Sequence, residues 1–218
     1  MTDYATARIN MVENQVRPNR VADQRVLAAM AEVPRERFVP KKYQGLAYVD
    51  EDIAVARGRC LMEPLVLARL LDAAAIRPED VVLDIGCATG YSSAVLARLA
   101  NTVVALESDA GLAEDAVKIL GEIDADNVAV ITGALEDGYP EQAPYDVIVL
   151  GGAVDEAPPA ITDQLAEGGR LVAVVTGGGR VGKGTLMLRA RGRLSSRVVF
   201  DAAVAPLPGF SIDRGFVF

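Results

Sequence analysis

From residue 80 onward the chain alternates short apolar runs with helix-spaced ones. The run at 81–85 is followed by a helical pattern over 92–99, the run at 103–106 by one over 112–123, and the run at 147–150 by one over 161–165. Residues 128–131 and 171–175 are further apolar runs. Short segments rich in Val, Ile and Leu suit strands buried on both faces of a parallel sheet, and the helices between them predict right-handed βαβ units. The ending differs: 185–190 and 198–204 are strand-like with no helix between them, which predicts an antiparallel finish. Ahead of the sheet, Ile9, Val12, Val16 and then Val26, Leu27 and Met30 recur near helix spacing, and Pro18 splits this region into two helices. Pro34 and Pro40 bracket an irregular stretch, and Pro64 starts a helix over 65–75. The expectation is one domain over 1–218: a helical cap, 1–75, and a doubly wound core, 76–218.

Composition adds exclusions. The 218 residues are 51% hydrophobic and 24% charged, which is ordinary globular composition and not that of a disordered or collagen-like chain. Two cysteines, Cys60 and Cys87, make no framework and no C-x-x-C pair. There is no His, so His triads, His metal sites and the usual neutral-pH base are excluded; no metal is expected. The net charge of −8 is unevenly spread: residues 80–168 carry 2 Lys+Arg against 17 Asp+Glu, and residues 169–218 carry 8 against 2. So acidic a centre argues against nucleic acid as partner. No stretch approaches the roughly 18 apolar residues of a membrane span, and the first ten residues lack the pattern of a secretory signal. A cytoplasmic protein with no membrane partner is expected. No oligomeric state follows from the pattern.

The strongest local signal is Asp84-Ile85-Gly86-Cys87-Ala88-Thr89-Gly90, between the first core strand and a helix. Gly86 lets the backbone turn tightly, and Gly90 allows close packing where the helix begins. The spacing is not that of the dinucleotide fingerprint. Asp84 would repel a pyrophosphate and attract a cation. Glu107 ends the next strand, where a carboxylate accepts from ribose hydroxyls. A nucleoside with a positive charge and no phosphate matches this pattern, and S-adenosylmethionine is one.

Asp84 to Gly90 and Glu107 resemble motifs of class I S-adenosylmethionine-dependent methyltransferases. Val33-Pro34-Arg35, Phe38-Val39-Pro40, Leu46-Ala47-Tyr48 with Asp50, Tyr145-Asp146 and Gly168-Gly169-Arg170-Leu171 narrow the resemblance to the protein-L-isoaspartate O-methyltransferase family, over about residues 8–208. The resemblance implies a Rossmann-like seven-stranded sheet with the last strand antiparallel. It implies methyl transfer to the carboxylate of an L-isoaspartyl residue in damaged protein or peptide, with S-adenosylhomocysteine as product. It places Asp84, Gly86, Cys87, Ala88, Gly90, Glu107, Ser108, Gly133, Ala134 and Leu135 at the cofactor, and Arg57, Arg59, Met62, Glu63 and Pro64 at the acceptor. A carboxylate is already ionised at neutral pH and needs positioning rather than deprotonation, so no catalytic residue is assigned.

Two segments depart from the family. Where it carries Gly-His-Gly-Gln-Thr-Ile-Ser-Gln-Pro, this chain has Ala56-Arg57-Gly58-Arg59-Cys60-Leu61-Met62-Glu63-Pro64. Met62 replaces the hydroxyl that contacts the acceptor carboxylate, and Glu63 stands where an amide is usual. Gly133-Ala134-Leu135 replaces Gly-Asp-Gly. The residues leave open an isoaspartyl enzyme that holds its substrate through backbone groups and Arg57 or Arg59, a methyltransferase with a changed acceptor, and a non-catalytic cofactor-binding protein.

Other motifs take simpler readings. The Gly-rich segment 177–184 approaches a P-loop, but a strand-like run follows it, so a hairpin is expected. Asp50-Glu51-Asp52 reads as a solvated turn, with Asp50 alone matching the family. Arg189, Arg191 and Arg193 alternate as on one strand face.

Overall fold

The chain begins with polar-faced helices whose apolar stripes must find a partner. A computed structural model describes residues 3–179 and 181–211. Helix α1, Tyr4–Met11, is capped by the Asp3 carboxylate and runs on through a π-turn and a 3₁₀ turn that contains Pro18. Helix α2, Gln24–Glu32, is capped by Asp23. Two 3₁₀ turns follow, then a small antiparallel hairpin of β1, Ile53–Ala56, and β2, Arg59–Leu61, which the apolar pattern did not predict. Helix α3, Pro64–Ala74, opens on its proline as expected.

The core alternates as the pattern predicts. Strand β3, Val81–Ile85, leads to α4, Tyr91–Ala97; β4, Thr102–Glu107, leads to α5, Ala110–Gly121; β5, Val128–Thr132, and β6, Tyr145–Val154, follow. The helix expected over 161–165 is shorter: α6 is only Pro159–Thr162. Leu165 already belongs to β7, Leu165–Val175, where it pairs with Tyr145. Strands β8, Gly182–Ala190, and β9, Arg193–Ala202, complete a seven-stranded sheet in the order β5-β4-β3-β6-β7-β8-β9. Strands β3 to β7 are parallel, and β8 runs antiparallel to both its neighbours. Successive connections go to opposite sides of β3, so the loop after β3 lies at the reversal of strand order, where open α/β sheets bind ligands.

Both faces of the sheet are covered. Met11, Leu27, Met30, Leu70, Leu71 and Val95 pack over one face; Ile161, Leu207 and Phe210 pack over the other. Burial on both faces holds for the middle strands only. At the edges β5 is half exposed and most of β9 is exposed, because one side of an edge strand has no neighbour to cover it. The Gly-rich segment is the β7–β8 connection and is followed by a strand, although Arg180 lies outside the described residues. Arg191 sits in the β8–β9 turn with φ +53°, so the three alternating arginines do not share one strand face.

Arg170 locks these layers together at the end of the sheet away from the β3 loop. It donates to Asp80 Oδ2 at 2.6 Å and to the carbonyls of Ala74 and Ala75 at 2.9 Å, fastening the end of α3 and the start of β3 to β7. Arg170→Ala should cost about 3 kcal/mol, because it strands a buried carboxylate, which is a fall in Tm of about 6–12 °C for a chain of this size. Calorimetric melting checks this, and a fall under about 2 °C would show that the clamp carries little stability.

Candidate active site

The carboxyl ends of β3, β4 and β6 form the floor of the site. Gly86 and Gly90 turn the loop with φ of +78° and +94°. The Gly86 and Cys87 N–H groups donate to the Leu106 carbonyl at 2.8 and 3.2 Å, which ties the loop to β4. A Cβ on Gly151, in β6, would lie 2.4 Å from the Gly86 carbonyl oxygen, so these two backbones meet only because Gly151 has no side chain. Leu207, from the segment after β9, lies over Gly86.

Asp84 is completely buried. Its Oδ2 accepts from Ser92 Oγ at 2.7 Å and Ser93 Oγ at 2.6 Å, while Oδ1 has no partner. Burial pushes this carboxyl up to about 6, against the lowering effect of the two serines.

Glu107 is also completely buried, at the end of β4. Its Oε2 accepts from the Ala88 N–H at 2.8 Å and from Arg59 Nη2 at 2.7 Å. Its Oε1 accepts from the Ser108 and Asp109 N–H groups at 2.8 and 3.1 Å, and from Arg59 Nε and Ser108 Oγ at 3.3 Å each. Burial works against ionisation, but Arg59 and the backbone donors outweigh it and hold the carboxyl below its ordinary value.

The structure thus divides the acceptor residues expected from sequence. Arg59 is buried and pairs with Glu107, a residue expected at the cofactor and not at the acceptor, while Arg57 is exposed. Met62 is buried, and with Cys60, Leu67, Gly86, Cys87 and Tyr91 it lines a cavity of about 20 Å³ between β2 and the loop, room for about one water. Glu63 is half-buried; burial and the nearby Asp50, Asp52 and Glu51 push it up to about 7. Pro64 starts α3 behind it. Gly133, Ala134 and Leu135 follow β5, where the Gly133 N–H donates to the Glu107 carbonyl at 3.0 Å and Leu135 is buried. Burial raises both thiols, Cys87 well above the ordinary range, so neither is an activated nucleophile. A larger open cleft of about 520 Å³ lies between the Arg35–Phe38 turn and α5; it reaches the loop only at Thr89 and touches neither Asp84 nor Glu107.

Two features were missed. Asp50-Glu51-Asp52 is no mere solvated turn. Asp50 accepts from the Leu65 N–H at 2.9 Å, and Asp52 accepts from Glu63 N–H at 2.8 Å and from Ala205 N–H. Arg35, in the Val33-Pro34-Arg35 motif, is fully buried, donates to the Ala47 and Met62 carbonyls at 2.8 Å, and stacks on Tyr91. The motif marked its position, but no local pattern marked its contacts. Among the described residues no group of three or more His, Cys, Asp or Glu is placed to hold a metal, and no helix is long and apolar enough to cross a membrane.

Comparison with known proteins agrees with this architecture. Residues 7–198 match the family model for Protein-L-isoaspartate(D-aspartate) O-methyltransferase (PCMT). A Koribacter versatilis (strain Ellin345) protein named protein-L-isoaspartate O-methyltransferase is 40% identical over 209 residues, 96% of this chain and 94% of the relative. One of the same name from Gloeobacter violaceus (strain ATCC 29082 / PCC 7421) is 38% identical over 197 residues, 90% of this chain and 96% of that one. A solved protein-L-isoaspartate O-methyltransferase superposes with TM-score 0.80 at 25% identity, covering 94% of this chain and 66% of that structure. A Plasmodium falciparum PCMT solved in complex with S-adenosyl-L-homocysteine superposes with TM-score 0.76 at 20% identity, over 92% and 97% of the two chains, and supports the fold. With its strand order, its buried Asp84 and Glu107 flanking the β3 loop, and these matches over nearly its whole length, the chain belongs to the protein-L-isoaspartate O-methyltransferase family.

Proposed function

We propose that this chain methylates the carboxylate of L-isoaspartyl residues in damaged protein, with S-adenosylmethionine as methyl donor. The observation that carries the reading is the pair of buried carboxylates at the switch point, in a chain of this family. The residues fit the cofactor. Asp84 Oδ1 is a buried acceptor without a partner, beside the loop, where a cationic ammonium is the matching ligand. Gly151 lets β6 approach the Gly86 backbone, which holds the loop close against the sheet beside Asp84. Glu107 supplies the carboxylate for ribose hydroxyls. Cys87, Ala88 and Gly90 shape the loop, and Ser108, Gly133 and Ala134 stand beyond the ends of β4 and β5, with Leu135 buried behind them. When bound, S-adenosylmethionine supplies a methyl group on a sulfonium, and S-adenosylhomocysteine remains once it is transferred.

The chain's own task is then positioning. An ionised carboxylate attacks in line without losing a proton, so the absence of His is no handicap. Met62, Leu67 and Tyr91 line a cavity with room for only about one water, so little water would share that side of the loop with the reacting groups. Residues 1–75 and 76–218 act together as one methyltransferase unit, with the β1–β2 hairpin facing the loop. Methyl-labelled S-adenosylmethionine, an isoaspartyl peptide and its matched aspartyl control test the reading. Base-labile label on the isoaspartyl peptide alone is expected. Label on neither peptide, with S-adenosylhomocysteine shown to bind, would favour a changed acceptor, to which the apolar Met62 and the acidic Glu63 would then point.

Asp84 gives a pH signature for cofactor binding. It is ionised above about 6 and neutral below. S-adenosylhomocysteine, which keeps the ammonium, should therefore lose affinity about tenfold per unit as pH falls below that value. Calorimetric titration between pH 5 and 8 checks this, and Asp84→Asn should weaken binding at pH 8 and flatten the dependence. Glu63 gives the opposite signature for the acceptor: it is neutral below about 7 and anionic above. As pH rises through that value, kcat/KM for the isoaspartyl peptide should fall, and Glu63→Gln should remove the fall, giving about a threefold to tenfold gain at pH 8.5 from relief of like-charge repulsion.

A further inference from the structure

Two arginines are buried among the described residues, and they are held in different ways. Arg35 bonds to the carbonyls of Ala47 and Met62 and lies 4.6 Å from the Tyr91 ring centroid. Those partners are neutral groups fixed by the fold. Both hydrogen bonds of Arg59 go instead to Glu107, the carboxylate assigned to the ribose.

Glu107 has no capacity to spare. Its two oxygens offer about four lone-pair directions and already meet six donor contacts: three from backbone N–H groups, two from Arg59 and one from Ser108 Oγ. The backbone donors belong to the loop after β3 and the turn after β4 and cannot leave without unfolding them. Arg59 sits on the side chain of a short hairpin strand. A ribose diol therefore reaches the Glu107 carboxylate by displacing the guanidinium. The cavity between β2 and the loop holds only about 20 Å³, which points the same way, because the hairpin side has to open to admit a nucleoside.

We propose that Arg59 exchanges partners: the cofactor ribose takes Glu107, and the released guanidinium binds the acceptor carboxylate. This rests on the functional reading above. Arg59 lies in β2, three positions before Met62, and lines the narrow gap that Cys60, Met62, Gly151 and Gly152 share. While it is paired, its charge is cancelled by Glu107, and an acceptor meets only the Met62 thioether and the Glu63 carboxyl. Once Glu107 accepts from the ribose hydroxyls, the guanidinium has lost its direct partner, and its planar fork matches a carboxylate. Carboxylate selectivity then comes from a guanidinium on β2, and acceptor binding depends on the cofactor.

Titration calorimetry with S-adenosylhomocysteine and an isoaspartyl peptide, on the wild type and Arg59→Gln, tests the exchange without turnover. Arg59→Gln should bind S-adenosylhomocysteine about tenfold tighter than the wild type, because no ion pair has to be broken. The wild type should bind the peptide at least about tenfold tighter with S-adenosylhomocysteine present than without it, and in Arg59→Gln this enhancement should shrink to within about twofold. Weaker S-adenosylhomocysteine binding by Arg59→Gln, or an enhancement that survives the substitution, overturns the proposal. Should Arg59→Gln not fold, as judged by circular dichroism, Arg59→Lys keeps the charge but loses the fork; it should retain S-adenosylhomocysteine binding and lose most of the peptide enhancement, and full retention of the enhancement would overturn the exchange. Failure of the wild type to bind S-adenosylhomocysteine would overturn the functional reading itself.

Discussion

One carboxylate without solvent contact organises the carboxyl edge of this sheet. Leaving Glu107 buried and unpaired would cost several kcal/mol, so its donors have to be in place for the fold to close. They come from three parts of the chain: Ala88 in the loop after β3, Ser108 and Asp109 after β4, and Arg59 in the hairpin. Satisfying Glu107 brings Ala88 into a left-handed conformation with φ +53°. It also sets the turn at Asp109, whose own carboxylate accepts from the Gly111 and Leu112 N–H groups and starts α5. The loop, the helix and the hairpin are registered to one another through a single group.

The rest of the site is assembled around that edge by the two extremes of the chain. Asp52 joins the start of α3 to the segment after β9, through Glu63 and through Ala205, which is 153 positions away in sequence. Ala153 in β6 exchanges backbone hydrogen bonds with Ala205 and Leu207 at 2.9 and 2.7 Å, which carries Leu207 over Gly86. The parallel sheet provides a rigid floor, and the walls are long-range additions fixed by a few buried acids. Such a construction places chemistry where strands end and leaves the strands themselves free to be apolar.

This difference sets what could be read from residues in order. Strands β3 to β6 were legible because a Val, Ile and Leu run with no polar face has few alternatives, and the loop was legible because its two glycines sit between a strand and a helix. The destination of Arg59 was not legible. Residues alternate across a strand, and a bulge between Ala54 and Ala56 in the hairpin shifts the register that decides which side chains point inward. The acids at 50–52 looked solvated because their partners, Glu63, Leu65 and Ala205, lie on other elements. Helix α6 was overcounted because Leu165 has the spacing of a helix residue, yet it finds a better place beside Tyr145 in the sheet.

The charge inventory of the site explains why an arginine belongs on β2. Around the loop the fully buried acids are Asp84 and Glu107, and Asp50 and Asp52 lie near Glu63 at the end of the hairpin. An anionic acceptor entering that field would be repelled, more strongly in a water-poor cleft than in bulk. Arg35 contributes a fixed positive charge, but its bonds to two carbonyls and its stacking on Tyr91 hold it from pairing directly with a carboxylate. Two positive charges lie at the floor itself on the proposed reading: the one that arrives on the cofactor and the one on Arg59. A cleft this acidic favours the cationic cofactor first, and on the proposed exchange it admits a carboxylate once the Arg59 guanidinium is free of Glu107. On that proposal, selectivity for the acceptor rests on the released guanidinium rather than on a hydroxyl at position 62.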